Sequence, residues 1–363
     1  MIEFDFDFER LRALGLTPAL ASAATTTDPD GATAPLQLMR LSEVHRESVR
    51  VHDGAQTHSA RASPRLLRAL EDAQTALAVG DWVLAAGDDA DSLTVHALVP
   101  RLSHIARRDA DGRRHPVVSN VDTALLVMGL DDDFNPRRLE RYLALVHSSG
   151  VLPVVVLTKA DVVTPDMVAE RIATLRSRVS AALDVFAVNA TEASAAAALA
   201  PYTEAGQTLV LLGSSGAGKS TLTNTLLGAA TQDTGAVREH DSRGKHTTTT
   251  RSLFCLPGGA CVVDTPGLRA LRPDVDEATL SASYADVEAL AQQCRFRDCR
   301  HHDEPGCAVR EGIDADRLKN FHKLLREARR DTLSVVERQR QVAVWKARAK
   351  ASRARQKDRG GDA

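Results

Sequence analysis

The stretch TLVLLGSSGAGKSTLTNTLLG, residues 208–228, decides the fold. It opens with a continuous apolar run, typical of a strand buried on both faces of a parallel sheet, and the residues after Gly218 have the pattern of a helix. Between them lies G-x-x-x-x-G-K-[ST], the phosphate loop, in the strand, loop and helix order that this motif requires. We therefore expect a doubly wound α/β domain that binds a nucleotide.

The loop and the first helical residues are assigned to nucleotide binding. The glycines of the phosphate loop let the backbone curl, so that successive N–H groups point at a phosphate. Lys219 is expected to neutralise the β- and γ-phosphates, and the Ser220 hydroxyl to ligate Mg²⁺. The assigned residues are Gly213, Ser214, Ser215, Gly216, Ala217, Gly218, Lys219, Ser220 and Thr221.

A second motif ends another predicted strand. CVVDTPG, residues 261–267, finishes in D-x-x-G. Asp264 is placed to hold Mg²⁺ through a water molecule, and the Gly267 N–H to bond the γ-phosphate and register its loss. D-x-x-G alone is common, but at this distance after a phosphate loop it is strong evidence for a nucleotide switch.

The strand LPVVVLTK leads into Thr158-Lys159-Ala160-Asp161, which we expect to select the base. The Asp161 carboxylate only accepts hydrogen bonds, so it can take both N1–H and the N2 amino group of guanine, a pair that adenine lacks. The Lys159 stem is expected to lie over the purine. Asn is usual where Thr158 stands, so we expect the loop to lack an amide brace. AVNA, residues 187–190, is either a second base contact or an ordinary strand end.

The order of these motifs is unusual, since the base loop precedes the phosphate loop. A nucleotide contacts only the carboxyl ends of neighbouring strands, so the site needs adjacency in space and is indifferent to chain order. The sequence therefore predicts a circular permutation of a GTPase domain, which also makes the D-x-x-G loop run into the C-terminal region.

The segment GKHTTTTR, residues 244–251, lies where the first switch belongs. A hydroxyl there, on Thr248 or Thr249, is expected to complete Mg²⁺ coordination in the triphosphate state. Leu268 stands where many GTPases use a Gln to orient water, so intrinsic hydrolysis should be slow. His246 is the candidate catalytic group; the alternative is a histidine that is merely exposed.

A Cys/His cluster follows at CRFRDCRHHDEPGC. Three thiolates and one imidazole in a short loop fit a closed, tetrahedral, structural zinc site. By spacing alone His302 could replace His301, and nearby arginines would present positive charge to a phosphate backbone. The expected metal ligands are Cys294, Cys299, His301 and Cys307.

Composition sets the remaining limits. With 363 residues and a formal net charge of −2, the chain is long enough for two or three domains. It has no apolar stretch of membrane-spanning length and an acidic start where a secretory signal is basic, so we expect a cytoplasmic protein. Cys255 and Cys261 are expected to be small buried residues in a hairpin. The Arg- and Lys-rich end predicts either a polyanionic partner or a solvated helical tail.

Five segments are predicted along the chain. A flexible stretch precedes short alternating strands typical of a small β-barrel, although the strand pattern alone does not choose among barrels. The α/β domain comes next, and the Cys/His cluster lies in a helical region. The expected bounds are 1–35 for the flexible segment, 36–106 for the barrel, 107–273 for the permuted domain, 274–335 for the zinc-binding helical domain and 336–363 for the basic tail.

These features resemble one family over roughly residues 36–335: the circularly permuted small ribosomal subunit biogenesis GTPases, or RsgA (YjeQ) family. The motifs that carry the resemblance are VGDWV, NVD at 120–122, TKAD, GSSGAGKST, GKHTTT, DTPG and the C-x4-C-x-H-x5-C cluster. The resemblance implies an oligonucleotide-binding (OB) barrel, one zinc ion at the cluster, Mg²⁺ with GTP, and His246 as catalytic histidine. It also implies a cytoplasmic monomer that acts late in 30S maturation, where 16S ribosomal RNA stimulates GTP hydrolysis. Thr158, Asn189 and the two chain ends depart from the family pattern.

Two other functions compete with this hypothesis. A P-loop ATPase or small-molecule kinase with a zinc lid would share the phosphate loop but not the preference for guanine. A non-enzymatic RNA-binding module would bind GTP tightly and release no phosphate with any partner.

Overall fold

The computed structural model describes residues 6–27, 35–87, 93–108, 114–229, 251–265, 272–273 and 277–332. The chain forms two compact units, which divide between Pro273 and Asp274. The first unit contains the strands and the motifs of the nucleotide site, and the second contains the Cys/His cluster.

The helices and strands are numbered in chain order. The strands are β1 (Gln37–Val44), β2 (Val49–His52), β3 (Thr57–Ala62), β4 (Trp82–Ala86), β5 (Leu93–Leu98), β6 (His104–Arg108), β7 (Arg114–Ser119), β8 (Thr123–Gly129), β9 (Leu152–Thr158), β10 (Val185–Ala187), β11 (Thr208–Leu212), β12 (Ser252–Cys255), β13 (Cys261–Asp264) and β14 (Arg272–Pro273). The helices are α1 (Phe8–Arg12), α2 (Pro18–Thr26), α3 (Pro64–Asp72), α4 (Pro136–His147), α5 (Pro165–Arg176), α6 (Ala193–Ala198), α7 (Lys219–Leu227), α8 (Glu277–Ala282), α9 (Ala285–Ala291), α10 (Ala308–Gly312) and α11 (Ala315–Thr332).

The first five strands form the expected barrel. They pair in the order β1-β2-β3-β5-β4 and β4 returns to β1, so the sheet closes on itself. The pairing of β3 with β5 is parallel and the others are antiparallel, which is the Greek-key arrangement of an OB barrel. Alternate residues such as Met39, Leu41, Val83 and Val95 fill the interior. The last strand of the barrel, β5, ends at Leu98, and the next strand, β6, pairs with β7 and β14.

The α/β sheet runs in the order β10-β9-β8-β11-β13-β12. All neighbours are parallel except β12, which is antiparallel to β13 and, on its other side, to β1 of the barrel. Successive residues of β8 pack into different cores: Leu126 with α4 and α5 on one face, Leu125 and Val127 with α6 and α7 on the other. Both faces are covered by helices, which confirms the predicted doubly wound fold.

The predicted flexible start is wrong for residues 6–27. They form α1 and α2, and Leu11, Leu14, Leu16 and Leu20 are at most 3% exposed in one core with the outer face of the barrel. The spacing of these leucines indicates buried helices. The Ala- and Thr-rich composition obscures this signal, because the Ala- and Thr-rich stretch begins inside α2. Each leucine buried in this way stabilises the fold by about 2 kcal/mol.

A buried arginine joins the barrel to the α/β sheet. Arg40, on β1, has no solvent exposure. Its guanidinium donates to the carbonyls of Leu14, Gly80 and Asn120. It also donates to Thr208 Oγ1 at 2.8 Å, at the start of the strand that leads into the phosphate loop. Because a buried cation is tolerated only when its donors are satisfied, this set of acceptors fixes the junction.

The VGDWV and NVD motifs build the same junction. Gly80 has a φ of +92°, and a Cβ there would come within 2.1 Å of the Ser119 carbonyl oxygen, so only glycine fits. Asp81 is fully buried and accepts from Arg101 and from the Ser119 hydroxyl. Asn120 donates to the Gly80 carbonyl at 3.1 Å. These motifs therefore serve the packing of the barrel against the α/β sheet.

The second unit is helical. Tyr284, Val287, Leu318 and Phe321 are buried, and the Tyr284 and Phe321 rings pack at 5.0 Å between centroids. The loop between α9 and α10 carries the Cys/His cluster. The basic tail, residues 336–363, lies outside the described residues.

Candidate functional site

The phosphate loop has the curled backbone that the motif predicts. It leaves β11 at Leu212 and enters α7 at Lys219. Gly216 and Gly218 take left-handed φ values of +82° and +90°. A Cβ on Gly213 would come within 2.4 Å of the Val127 carbonyl oxygen of β8. The glycines are therefore required by both the turn and the close approach of the neighbouring strand.

Lys219 lies inside this loop and is 6% exposed. Its ammonium donates to the carbonyl oxygens of Ser214 at 2.8 Å and Gly213 at 3.2 Å. Burial lowers the pKa of Lys219, while the nearby Asp264 carboxylate opposes that shift. The cation is thus held inside the loop by two of its own carbonyl oxygens.

Ser220 and Asp264 come together as their motifs predict. The Ser220 hydroxyl donates to Asp264 Oδ2 at 3.2 Å. Asp264 is 8% exposed, its Oδ1 is a buried atom without a hydrogen-bond partner, and burial raises its pKa despite the opposing charge of Lys219. A buried carboxylate oxygen without a partner next to a hydroxyl is the hard-oxygen pair that Mg²⁺ prefers, so these residues fit the ion.

Thr158 joins the base loop to the phosphate loop. It is fully buried at the end of β9, and its Oγ1 donates to the Ala217 carbonyl oxygen at 2.6 Å. Its side chain also packs on Gly218, where an added Cβ would come within 3.2 Å of Oγ1. The loop lacks the amide brace, as expected, but the threonine hydroxyl braces it in that place.

The rest of the base loop is held by its neighbours. Lys159 adopts a left-handed φ of +61°, and its ammonium pairs with Asp131 Oδ2 at 2.6 Å. Ala160 N donates to the Val188 carbonyl oxygen, so the segment 187–190 lies beside the base loop, as a second base loop must. Asp161 follows in a short 3₁₀ turn and is exposed.

An acidic loop after β8 is a part of the site that sequence reasoning missed. Asp131 binds Lys159, and although burial opposes the shift, this hydrogen bond lowers the pKa of Asp131. Asp133 Oδ1 accepts from the Ser214 hydroxyl and from Arg138, both at 2.6 Å. One loop therefore holds the base loop at one end and the phosphate loop at the other. Its only sequence signal was its place at the carboxyl end of a strand next to β11.

The Cys/His cluster forms one compact group. The ligand atoms of Cys294, Cys299, His301 and Cys307 all lie within 4.8 Å of one another, so they could hold a metal ion. His301 Nδ1 is 3.4 Å from Cys307 Sγ. The His302 ring instead stacks on His322 at 4.1 Å, so the structure chooses His301 between the two histidines that spacing left open. Three thiols and one imidazole at this separation fit a tetrahedral metal site.

Several predicted residues lie outside the described part of the chain. They are His246, Thr248, Thr249, Gly267 and Leu268.

The fold and this site define the class. A base loop and a phosphate loop meet at the carboxyl ends of the parallel strands β9 and β11, which lie on either side of β8, but in reversed chain order. That arrangement is a circularly permuted P-loop GTPase.

Comparison with known proteins identifies the family. The model of the RsgA GTPase family matches residues 98–273. A small ribosomal subunit biogenesis GTPase RsgA from Xanthomonas axonopodis pv. citri is 47% identical over 296 residues, covering 79% of this chain and 80% of the relative. Its counterpart in Xanthomonas euvesicatoria is 47% identical over 293 residues, covering 78% and 79%. The chain belongs to the RsgA GTPase family, whose members are GTP hydrolases.

Solved structures agree on the fold. YjeQ from Thermotoga maritima superposes with a TM-score of 0.58 at 23% identity, over 81% of this chain and 98% of that one. YloQ, described as a circularly permuted GTPase, gives 0.56 at 20% identity, over 82% and 97%. The barrel, the permuted domain and a C-terminal cluster able to bind zinc are thus the fold predicted from sequence.

Two further findings concern other classes. A model of ABC transporters matches residues 199–352, a range that contains the phosphate loop shared by P-loop proteins; the high identity to RsgA proteins over most of the chain decides the family. Among the helices that the structure describes, none is both long and apolar enough to span a bilayer.

Proposed function

We propose that this protein is a cytoplasmic, monomeric GTPase that binds the small (30S) ribosomal subunit late in its maturation and hydrolyses GTP in response to 16S ribosomal RNA. The observation that carries the proposal is the 47% identity over 296 residues to a small ribosomal subunit biogenesis GTPase RsgA. The hydrogen bond from Thr158 to Ala217 supports its nucleotide-binding part, because it joins the proposed base loop to the phosphate loop. The relatives are named small ribosomal subunit biogenesis GTPases, and the chain covers 80% of one of them.

The residues divide into four tasks. Asp161 reads guanine, while Thr158, Lys159 and Ala160 shape its loop. The phosphate loop from Gly213 to Thr221 binds phosphates, with Lys219 as the cation. Mg²⁺, when bound, would offset charge on the β- and γ-oxygens. Ser220, Asp264 and Thr248 are the residues proposed to hold the ion, and Gly267 the one to sense the γ-phosphate.

Hydrolysis is proposed to depend on the ribosomal partner. Leu268 has no polar group that can orient water, so the free protein should turn over slowly. His246 is the proposed catalytic group, brought into position when the switch meets the subunit. RNA contacts are assigned to the barrel, to the arginines around the Cys/His cluster and to the basic tail.

Zinc is proposed as the ion of the Cys/His cluster. Cys294, Cys299 and Cys307 supply thiolates, and burial lowers the pKa of His301, which favours the neutral imidazole that a metal ion binds. Three sulfur ligands and one nitrogen ligand leave no open position, so the role is structural. We retain the domain bounds 36–106, 107–273 and 274–335, with the tail at 336–363, as part of the proposal.

The test is GTP turnover with and without purified small subunits. We expect stimulation by the subunits that weakens at high salt, because phosphate contacts release counterions. The same measurement on a chain that ends near residue 330, compared with the full chain, tests the contribution of the basic tail to the stimulation. A Lys219→Ala variant is the inactive control. Turnover indifferent to subunits and salt would contradict the ribosomal role. Equal use of ATP, or phosphate transfer to a small molecule, would instead support a P-loop ATPase or kinase.

A further inference from the structure

Two cysteines face each other across the hairpin that leads to Asp264. Cys255 in β12 is the register partner of Cys261 in β13. Leu256 N donates to the Ala260 carbonyl oxygen, whereas Cys261 N donates to the Gln207 carbonyl oxygen on the other side of its strand. The cysteines therefore form a non-hydrogen-bonded pair, in which Cα atoms are typically about 4.5 Å apart and side chains lie on the same face. That separation is within the range of unstrained disulfides.

The two thiols differ in the way that a reactive pair requires. Cys255 is exposed, whereas Cys261 is completely buried, so the hairpin prediction is right and the predicted burial is wrong for Cys255. The Cys261 thiol donates to the Ala13 carbonyl oxygen at 3.6 Å. The neighbouring Cys261 thiol lowers the pKa of Cys255 to about 7, and the charge of Arg40 acts in the same direction. The neighbouring Cys255, together with burial, raises the pKa of Cys261. One accessible thiolate therefore lies beside a protected thiol, the arrangement of an attacking and a resolving cysteine.

We propose that Cys255 and Cys261 are a thiol modification site, which a low-molecular-weight disulfide such as oxidised glutathione converts into a cross-strand disulfide. The Cys255 thiolate attacks one sulfur of the oxidant, the S–S bond of the oxidant breaks, and one glutathione thiolate leaves. Cys261 then loses its proton to that thiolate and attacks Cys255 Sγ. The mixed disulfide breaks and releases the second glutathione. Two protein thiols are oxidised, and one glutathione disulfide is reduced to two thiols.

The cysteine pair lies close in sequence to two parts of the nucleotide site. β13 carries Asp264 three residues beyond Cys261, and β12 begins directly after Arg251 at the end of the first-switch segment. A covalent link would fix the hairpin on which Asp264 depends. Reduction by cellular thiols would restore two free cysteines, as expected for a cytosolic site.

The sequence allows a clean test, because residues 252–269 form one tryptic peptide with both cysteines and no internal Lys or Arg. The full chain with its metal bound is equilibrated in glutathione buffers from fully reduced to fully oxidised, quenched in acid, alkylated and digested. In reduced buffers we expect the peptide to carry two alkyl groups. In oxidised buffers it should carry none and should weigh two hydrogen atoms less than the unalkylated dithiol peptide. The transition should follow the buffer potential as a two-electron couple does. Because the readout is confined to this peptide, oxidation of the cluster thiols does not interfere.

Two variants sharpen the result. In Cys255→Ser, an exposed and tolerant position, Cys261 should remain a free thiol throughout. In Cys261→Ser, a glutathione adduct should accumulate on Cys255. The proposal is overturned if the unsubstituted peptide still takes two alkyl groups in the oxidised buffers. It is equally overturned if the unsubstituted chain ends as a glutathione adduct on Cys255, or as a dimer linked through it.

Discussion

Replacing Thr158 by valine tests the link between the base loop and the phosphate loop. The two side chains have nearly the same shape, but valine lacks the hydroxyl that donates to Ala217 at 2.6 Å. Thr158 and Ala217 are both fully buried, so water cannot replace the lost hydroxyl as a donor to the Ala217 carbonyl oxygen. The substitution therefore removes one hydrogen bond and leaves the packing on Gly218 in place.

The cost follows from the buried acceptor. A carbonyl oxygen deprived of its partner in a buried place costs roughly 1–3 kcal/mol. Because the phosphate loop must hold this geometry when nucleotide binds, we expect most of the cost in nucleotide affinity. That corresponds to roughly 5- to 100-fold weaker binding of GDP and GTP.

The assay is titration of the nucleotide-free protein with GDP in the presence of Mg²⁺, by calorimetry or with a fluorescent analogue. Thr158→Ser is the matched control, since it keeps the hydroxyl and loses only a methyl group; its affinity should stay within a few-fold of the natural protein. Thermal unfolding without nucleotide shows whether valine has damaged the whole unit. If valine binds GDP as tightly as serine does, the brace has no role in nucleotide binding.

Three other perturbations test separate parts of the account. Asp161→Asn should reduce the preference for GTP over ATP by at least about tenfold, measured by competition binding, because the acceptor for both guanine donors is lost. Burial raises the pKa of Asp264, and Mg²⁺ needs the charged carboxylate. As the pH is lowered, the Mg²⁺-dependent affinity for GDP should therefore begin to fall at a higher pH than an ordinary aspartate would give. A GDP affinity that stays constant between about pH 5 and 8 would argue against ligation by this carboxylate. Arg40→Leu removes a buried cation from its acceptors and should destabilise the first unit by about 2–4 kcal/mol in urea unfolding, while unchanged stability would show that the junction does not need the ion.

Sequence alone predicts the parts of the fold that rest on periodicity and on spacing. The apolar runs at β8, β9 and β11 are continuous because helices cover both faces of the sheet, and this pattern is legible without a structure. The reversed motif order likewise predicts the permutation. The cluster that could hold a metal ion follows from the spacing of its cysteines, except that the structure was needed to choose His301 over His302.

The misses have physical causes. The roles of Thr158 and Asp133 depend on contacts with Ala217 and Ser214, which are 59 and 81 residues away in sequence, and no local pattern encodes such pairings. The N-terminal helices are not evident from composition, because an Ala- and Thr-rich stretch is typical of disorder, whereas Leu11 and Leu20 pack in a core formed with the rest of the first unit. Residue type also misled at Cys255, where the strand register exposes one cysteine and buries its partner.

The most direct test of the central claim is a crystal structure with Mg²⁺ and a non-hydrolysable GTP analogue. The account predicts that one ligand touches residues from both motifs: guanine N1 and N2 within hydrogen-bond distance of the Asp161 carboxylate, and the β- and γ-phosphates at Lys219 with the ion beside Ser220. A ligand whose phosphates occupy the loop while its base lies away from Asp161 would contradict it.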